Sequence, residues 1–389
     1  MQMLDFQHIL EDYYPEFVRH RRRTANTIAR LLNILFLQKR FKQFEHKYSG
    51  LEGFDFVSAA LTFFDFSIRL PESQKARIPA TGRLVIASNH PIGSLDGIAL
   101  LDLVRQVRTD VRVVANGMLM HLKPLHSVLL PVNNMSGSTT RRDLLAIRKH
   151  LESDGVLIIF PAGEVSRLGL KGVRDGLWNN GFVKLASATK APILPIFMGG
   201  RNSAFFYGLS ALVKPLSTAW LIREMFKQQH KTVDVHIGRP IPYSTYSANG
   251  FSTTTLAAMF KTHVYQLTSS TKPVFESVDS VAQPELRSAL IEELAHCDHL
   301  GTTPDGKQIY LTTMAQSPCI MREIGVLREI TFRLAGEGSG LARDIDQFYR
   351  HERVQDTSGG RNTGLLRYDD LAQWAPTVEA PLTMDFGRY

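Results

Sequence analysis

Apolar positions along the chain follow two different rhythms. Residues 27–44 (TIARLLNILFLQKRFKQF) carry Ile28, Leu31, Leu32, Leu35 and Phe36 at the i, i+3, i+4, i+7, i+8 spacing of one helix face, and residues 1–70 as a whole read as helical. After the turn signal PATG (79–82) the rhythm changes to short apolar runs at 83–88, 111–116, 127–133, 155–160, 192–199 and 232–238, which read as strands. Helix-spaced segments lie between them at 96–107, 141–153 (Leu144, Ile147, Leu151) and 178–189. The run GVLIIF (155–160) is short, continuous and β-branched, the signature of a strand buried on both faces. Strands alternating with helices predict an α/β fold with a mainly parallel central sheet flanked by helices, ligands binding beyond the carboxyl ends of its strands.

These changes of rhythm divide the chain into an N-terminal helical segment (1–70), an α/β domain (71–268), a Ser/Thr-rich linker (269–283) and a small α+β appendage (284–389). The appendage is expected to hold a helix at 284–296, a strand at 308–314 and a helix at 318–334. Little periodicity remains after 357.

Composition is that of an ordinary globular protein, 44% hydrophobic and 21% charged, with a net charge of +8. The whole excess sits in one place. Arg19, Arg21, Arg22, Arg23, Arg30, Lys39, Arg40 and Lys42 form a stretch without a single carboxylate. Combined with the apolar stripe, this predicts a helix lying on an anionic membrane surface; an amphipathic helix packed on the protein's own core is the alternative. Nucleic acid is not expected, because no zinc-finger spacing, RNP-like string or basic zipper accompanies the charge. No secretory signal and no run of about 18–20 apolar residues is visible. The expected location is therefore peripheral, on the inner face of the cytoplasmic membrane. Two cysteines, Cys297 and Cys319, fit a reducing compartment. The string HCDH (296–299) lacks converging ligands from elsewhere, so no metal is expected.

Two polar strings directly follow predicted strands. In Asn89-His90-Pro91-Ile92-Gly93-Ser94-Leu95-Asp96 a neutral imidazole can take a proton from a hydroxyl while a carboxylate on its other nitrogen fixes the tautomer. The competing reading is a strand-to-helix loop with Ser94 as N-cap and Asp96 in the first turn. In Phe160-Pro161-Ala162-Gly163-Glu164-Val165-Ser166-Arg167, Glu164 and Arg167 are three apart and can enter one cleft; a surface ion pair on a polar turn is the alternative. A serine hydrolase built on Ser94 would normally carry a G-x-S-x-G elbow, and none occurs. A non-catalytic membrane-binding protein is a further alternative.

In this order, the two strings resemble the lysophospholipid acyltransferase family, with its Asn-His-x4-Asp and Phe-Pro-Glu-Gly-Thr-Arg-Ser boxes, and Pro192-Ile193-Leu194-Pro195 resembles its later Pro-Ile-x-Pro box. The resemblance spans about residues 75–245. It implies acyl transfer from an acyl-CoA or acyl-carrier-protein thioester to a lipid hydroxyl without a bound cofactor or an acyl-enzyme. His90 would be the general base and Asp96 its orienting carboxylate. Glu164, Arg167, Gly163 and Ser166 would bind the acceptor head group, and Asn89, Gly93, Ser94, Phe160 and Pro161 would shape the site. Asp96 comes one residue later than the family pattern, and Ala162 and Val165 replace its glutamate and arginine, while Glu164 and Arg167 keep the same spacing two positions on. This variant resembles the hemolysin-like branch, which is similar to the enzymes that O-acylate lyso-ornithine lipid; a lysophospholipid such as lysophosphatidic acid is the alternative acceptor. Gly93 is expected to adopt a backbone conformation closed to other residues, so that the extra residue bulges out and Asp96 still reaches the imidazole. From Pro318 to Glu352 the chain resembles the start of an acetyltransferase-like (GNAT) half, expected to be truncated and inactive, with RNTGLL (361–366) as the nearest candidate for its phosphate loop.

Overall fold

The computed structural model describes Glu11 and residues 15–35, 37–116, 119, 122–132, 140–170, 172–212, 214–248, 250–302, 304, 308–335, 337–345 and 364–367. Most of the C-terminal stretch from 346, including 361–363 of the phosphate-loop candidate, lies outside the described residues. The chain forms two compact units, Met1–Ser277 and Val278–Tyr389.

The first unit opens with helices α1 (Pro15–His20), α2 (Arg22–Leu35), α3 (Gln38–Lys47) and α4 (Gly53–Phe64). The single helix expected over 27–44 is two, because Leu37 adopts a left-handed conformation (φ 55°) that ends one and starts the next. Among the described residues of α2, Ala25 and Ala29 are buried, and Phe44 of α3 packs edge-on against Phe56 and Phe63 of α4. The apolar stripe is only partly used: Ile28 and Leu32 are half-buried and Leu31 is 61% exposed, while the side chains of Leu35 and Phe36 lie outside the described residues. All eight basic residues from Arg19 to Lys42 are exposed.

The α/β layers follow in the order β1 (Ser67–Arg69), α5 (Glu72–Lys75), β2 (Leu84–Ser88), α6 (Ser94–Arg105), β3 (Val111–Asn116), β4 (Leu129–Val132), α7 (Arg141–Glu152), β5 (Val156–Ile159), β6 (Arg167–Gly169), β7 (Gly172–Arg174), α8 (Gly181–Thr189), β8 (Ile193–Met198), α9 (Ala204–Leu212), α10 (Lys214–Phe226), β9 (Thr232–Ile237), α11 (Tyr243–Ser247) and α12 (Thr253–Gln266). Seven strands form one sheet in the order β1-β9-β8-β2-β5-β3-β4. Neighbours pair in parallel, except that β9 runs antiparallel to β8. Strand β2 lies at the centre, Ile86 beside Ile158 on one side and Leu194 on the other. Its residues alternate between two cores, as the two-residue period requires. Leu84 and Ile86 join α4 and α6 in one; Val85 and Ala87 join α7, α8 and α12 in the other. This double burial explains why the strands read as continuous apolar runs. The segment expected as a linker, 269–283, has no helix or strand, and its Phe275 is buried against Phe260 and His263.

The second unit pairs β10 (Asp298–Thr302), β11 (Gln308–Thr312) and β12 (Gly364–Arg367) in an antiparallel sheet, with α13 (Arg287–Leu294) and α14 (Pro318–Ala335). Leu290, Leu294, Ile320, Met321 and Ile324 form its core. Glu293 accepts the N–H groups of Cys319 and Ile320 at 2.9 Å each, satisfying the first turn of α14 where a carboxylate also suits the helix dipole. The HCDH side chains diverge: His296 and Cys297 turn back to the carbonyls of Glu292 and Glu293, and His299 faces Gln308 across the sheet. Among the described residues no group of three or more His, Cys, Asp or Glu is arranged to hold a metal ion, and no helix is long and apolar enough to cross a membrane.

Candidate active site

Both polar strings sit at the carboxyl edge of the parallel sheet, one after β2 and the other after β5. Asn89, immediately beyond β2, is fixed by a reciprocal pair to β8: its Nδ2 donates to the Met198 carbonyl (2.8 Å) and the Met198 N–H donates to its Oδ1 (2.7 Å). This two-point link sets the direction in which the chain leaves the strand, and His90 follows. The imidazole stacks on the Phe160 ring, centroids 4.2 Å apart.

Asp96 is fully buried. Its Oδ2 accepts the N–H groups of Ile92 (2.9 Å) and Gly93 (3.0 Å) and lies 3.0 Å from His90 Nδ1. The contact to Nδ1 has hydrogen-bond length but not good alignment, so neither Nδ1 nor Asp96 Oδ1 has a well-directed partner among the described residues. One carboxylate oxygen therefore closes the loop, starts α6 and faces the imidazole. Gly93 makes this possible at φ 127°, ψ −137°, a region essentially restricted to glycine. Gly93 also occupies the N-cap position. Ser94 is thus not the cap the sequence suggested but the exposed first residue of α6. The preference of serine for N-caps is overridden because Asp96, at the third helical position, already satisfies the loop's donors.

The second string crosses directly over the first. Gly163 takes a left-handed turn (φ 68°) after Phe160 and Pro161, and the Ser166 N–H donates to the His90 carbonyl at 2.7 Å. Ser166 is buried and its hydroxyl donates to Asp175 Oδ1 (2.5 Å). Glu164 and Arg167 face each other at 3.4 Å. The Arg167 guanidinium also donates to the Ser210 hydroxyl of α9 and lies over the Phe206 ring, 5.5 Å from its centroid. Pro161 is tied to Asn179, which donates to its carbonyl.

Two positioning residues, Asp175 and Asn202, were not singled out in the sequence. Buried Asp175 accepts the backbone N–H of His90 (3.2 Å), the Ser166 hydroxyl and the indole N–H of Trp178 (2.8 Å), joining both strings to the approach to α8. Burial raises its carboxyl above the ordinary range, opposed by these donors. Its own N–H donates to the Tyr265 hydroxyl of α12, and Lys261 donates to its carbonyl. Asn202 donates to the carbonyls of Pro91 and Ile92, pinning the loop between His90 and Gly93 from the far side. Its own N–H is held by the Tyr207 hydroxyl. Neither Asp175 nor Asn202 belongs to a recognisable string, and their partners are largely backbone groups distant in sequence.

The fold and the two crossed strings define an α/β enzyme class with a histidine–carboxylate pair beyond the central strand of a mostly parallel sheet. A family model described as Acyltransferase matches residues 20–272, well over half of the chain, and the chain belongs to that acyltransferase family. It is 34% identical over 201 residues to the lyso-glycine lipid O-acyltransferase of Bacteroides thetaiotaomicron, covering 50% of this chain and 73% of that enzyme. It is also 42% identical over 103 residues to the glycine N(alpha)-acyltransferase of the same organism, about a quarter of either chain, which matches the resemblance to an acetyltransferase-like half in part. Among solved structures it resembles the 1-acyl-sn-glycerophosphate (LPA) acyltransferase PlsC of Thermotoga maritima, with a TM-score of 0.37 and 16% identity over 69% of this chain and 95% of that one.

Proposed function

We propose that this acyltransferase moves a fatty acyl group from an acyl-CoA or acyl-carrier-protein thioester to the hydroxyl of a lyso-lipid carrying an amino-acid head group, such as a lyso-glycine or lyso-ornithine lipid. The observation that carries the reading is the placement of a buried carboxylate 3.0 Å from His90 Nδ1, beyond the central strand, in a relative of lyso-lipid O-acyltransferases. With Nδ1 facing Asp96, Nε2 is left to take the proton of the acceptor hydroxyl. The oxygen attacks the thioester carbonyl, and the resulting tetrahedral adduct expels the thiolate, which takes the proton from the imidazolium and leaves as the free thiol. Asp96 keeps the ring in one tautomer and stabilises its charged form. Glu164 and Arg167 sit beside this path and contact the acceptor head group. Because Glu164 already offsets the Arg167 charge, and Val165 is buried where the family pattern has an arginine, a head group without a terminal phosphate fits better than lysophosphatidic acid.

The enzyme works at the inner face of the cytoplasmic membrane, held to anionic lipid by the exposed basic residues of α1–α3. The test is thiol release by the purified protein with lyso-glycine lipid, lyso-ornithine lipid and lysophosphatidic acid, each with both donors. Transfer to an amino-acid lyso-lipid that is lost in His90→Ala is the expected result. Absence of transfer to every acceptor, or a normal rate in His90→Ala, overturns the proposal.

A further inference from the structure

Just past Arg167 the chain does something unusual for a globular surface. Strands β6 and β7, three residues each, form a hairpin, Leu168 opposite Val173. Leu168 is 63% exposed, Leu170 at the tip is fully exposed, and Leu177, shortly after the hairpin, is 91% exposed. Single exposed leucines need no explanation, but three within ten residues beside an active site do. The hairpin is anchored on the domain at one point of its second strand and by the residue two before its first. Val173 and Val165 pack with Phe206 and Tyr207 of α9 and Leu221 of α10 in a small satellite core. The same core adjoins the catalytic loop, since a methyl group on Gly93 would lie 3.7 Å from Val165 and 4.0 Å from Leu221.

The outer side of α9 and α10 continues the pattern. Phe205 is 57% exposed and its ring centroid lies 5.0 Å from that of Trp220. Cations accompany these rings: Lys227 lies over Phe205 and Arg223 over Trp220. Exposed Arg174 at the base of the hairpin lies over Tyr265. Projecting aliphatic side chains, aromatic rings and cations together match the interfacial region of an anionic bilayer, where apolar groups enter the acyl boundary and cations meet head groups.

We infer that the β6–β7 hairpin, with Leu177 and Phe205, is a second membrane-contacting element, which inserts into the lipid surface and delivers the acceptor to His90 without its leaving the interface. The choice of a bilayer as the occupant rests on the lyso-lipid reading above. It differs from the basic helices α1–α3 in kind: its binding is driven by apolar insertion and persists at high salt, whereas attraction by exposed charges is screened.

Binding of the full-length protein to phosphatidylcholine vesicles, with and without phosphatidylglycerol, separates the two at low and high salt. The variant Leu168→Ser/Leu170→Ser/Leu177→Ser is expected to lose the salt-resistant part, with binding weakened about tenfold or more, and to keep its melting temperature. In a second variant, Leu170→Trp, emission is expected to shift to the blue on adding vesicles, relative to wild type, and to be quenched by brominated lipid. Unchanged vesicle binding by the triple variant, or no spectral change in Leu170→Trp, overturns the inference. So does a wild-type dimer in sedimentation that the triple variant dissolves without altered vesicle binding, which would make the patch a contact between copies. Weakened vesicle binding in a protein that acylates no lyso-lipid would leave the inserting hairpin standing and refute only the proposed reaction.

Discussion

Replacing Asp175 by asparagine probes the joint between the two polar strings with almost no change in shape. The carboxylate serves three donors, His90 N–H and Ser166 O–H on Oδ1 and Trp178 N–H on Oδ2. An amide has a single acceptor oxygen. If that oxygen takes the first pair, the amide NH₂ confronts the indole donor; if it is flipped, the NH₂ confronts the His90 N–H, and only the Ser166 hydroxyl can turn to accept. Either way one buried donor is stranded, at a cost of about 1–3 kcal/mol, and the surviving bonds lose the assistance of a charge. Against this, asparagine has no charge to desolvate, and burial of that charge is what raises the Asp175 carboxyl. The balance is a loss of about 1–2 kcal/mol, or a few degrees in melting temperature for a body of this size. The pH dependence has a definite sign. A carboxyl raised on folding means that the folded chain holds the proton more tightly than the unfolded one. Its contribution to stability therefore falls as pH rises from the ordinary carboxylate value of 3.8 through the raised one. Asparagine abolishes that slope, so the deficit of the variant relative to wild type narrows across this window. In catalysis, freeing the His90 backbone is expected to lower kcat by about 10–100-fold with little change in KM, as sub-ångström misplacement of a base does. Thermal melts across pH, with thiol-release kinetics on both proteins, measure all of this. A variant with wild-type rate and wild-type melting temperature would refute the reasoning.

Three other substitutions follow from the same geometry. Asp96→Asn removes the charge facing His90 and is expected to reduce kcat by about 10²–10⁴-fold, and weakening the start of α6 should cost about 1 kcal/mol in denaturant unfolding. Gly93→Ala meets no atom closer than 3.7 Å, so any loss must come from the backbone at φ 127°; about 1–3 kcal/mol of destabilisation with a marked fall in turnover is expected, and a neutral result would mean that the loop can close without the glycine conformation. Reversing Arg21, Arg22 and Arg23 to glutamate should abolish low-salt binding to anionic vesicles while leaving the melting temperature within a degree or so, since all three are exposed; unaltered binding would remove α1–α3 from the membrane contact.

The parallel core was legible because a strand buried on both faces has nowhere to put a polar residue. Runs such as Leu84–Ser88 and Val156–Ile159 fall within one or two residues of their expected bounds. Strands of three residues, β1, β6 and β7, are too short to show a period. Helix α9 (AFFYGLSAL) is apolar on nearly all sides and so offers no stripe to count. The break at Leu37 has no glycine or proline to announce it. At the site, His90 and Asp96 stood out because their spacing, six residues across a glycine, is local. Asp175 and Asn202 act on main-chain donors and carbonyls, and a backbone group has no residue type by which a sequence could reveal its partner. Ser94 shows the converse, a strong local preference overruled by a bond two residues away.

The hydrogen bond from the Ser166 N–H to the His90 carbonyl uses main-chain atoms at both ends. A weld of that kind is indifferent to spelling. It holds the crossing as long as the chain turns correctly at Gly163, with buried Val165 packed in the satellite core beside it. The second string can thus carry alanine and valine where the family pattern has two charges, and place its own charged pair further along, while its backbone keeps this hold on His90. What looks like decay of a motif is, mechanically, a change of fittings on a joint whose fastening is made by the backbone.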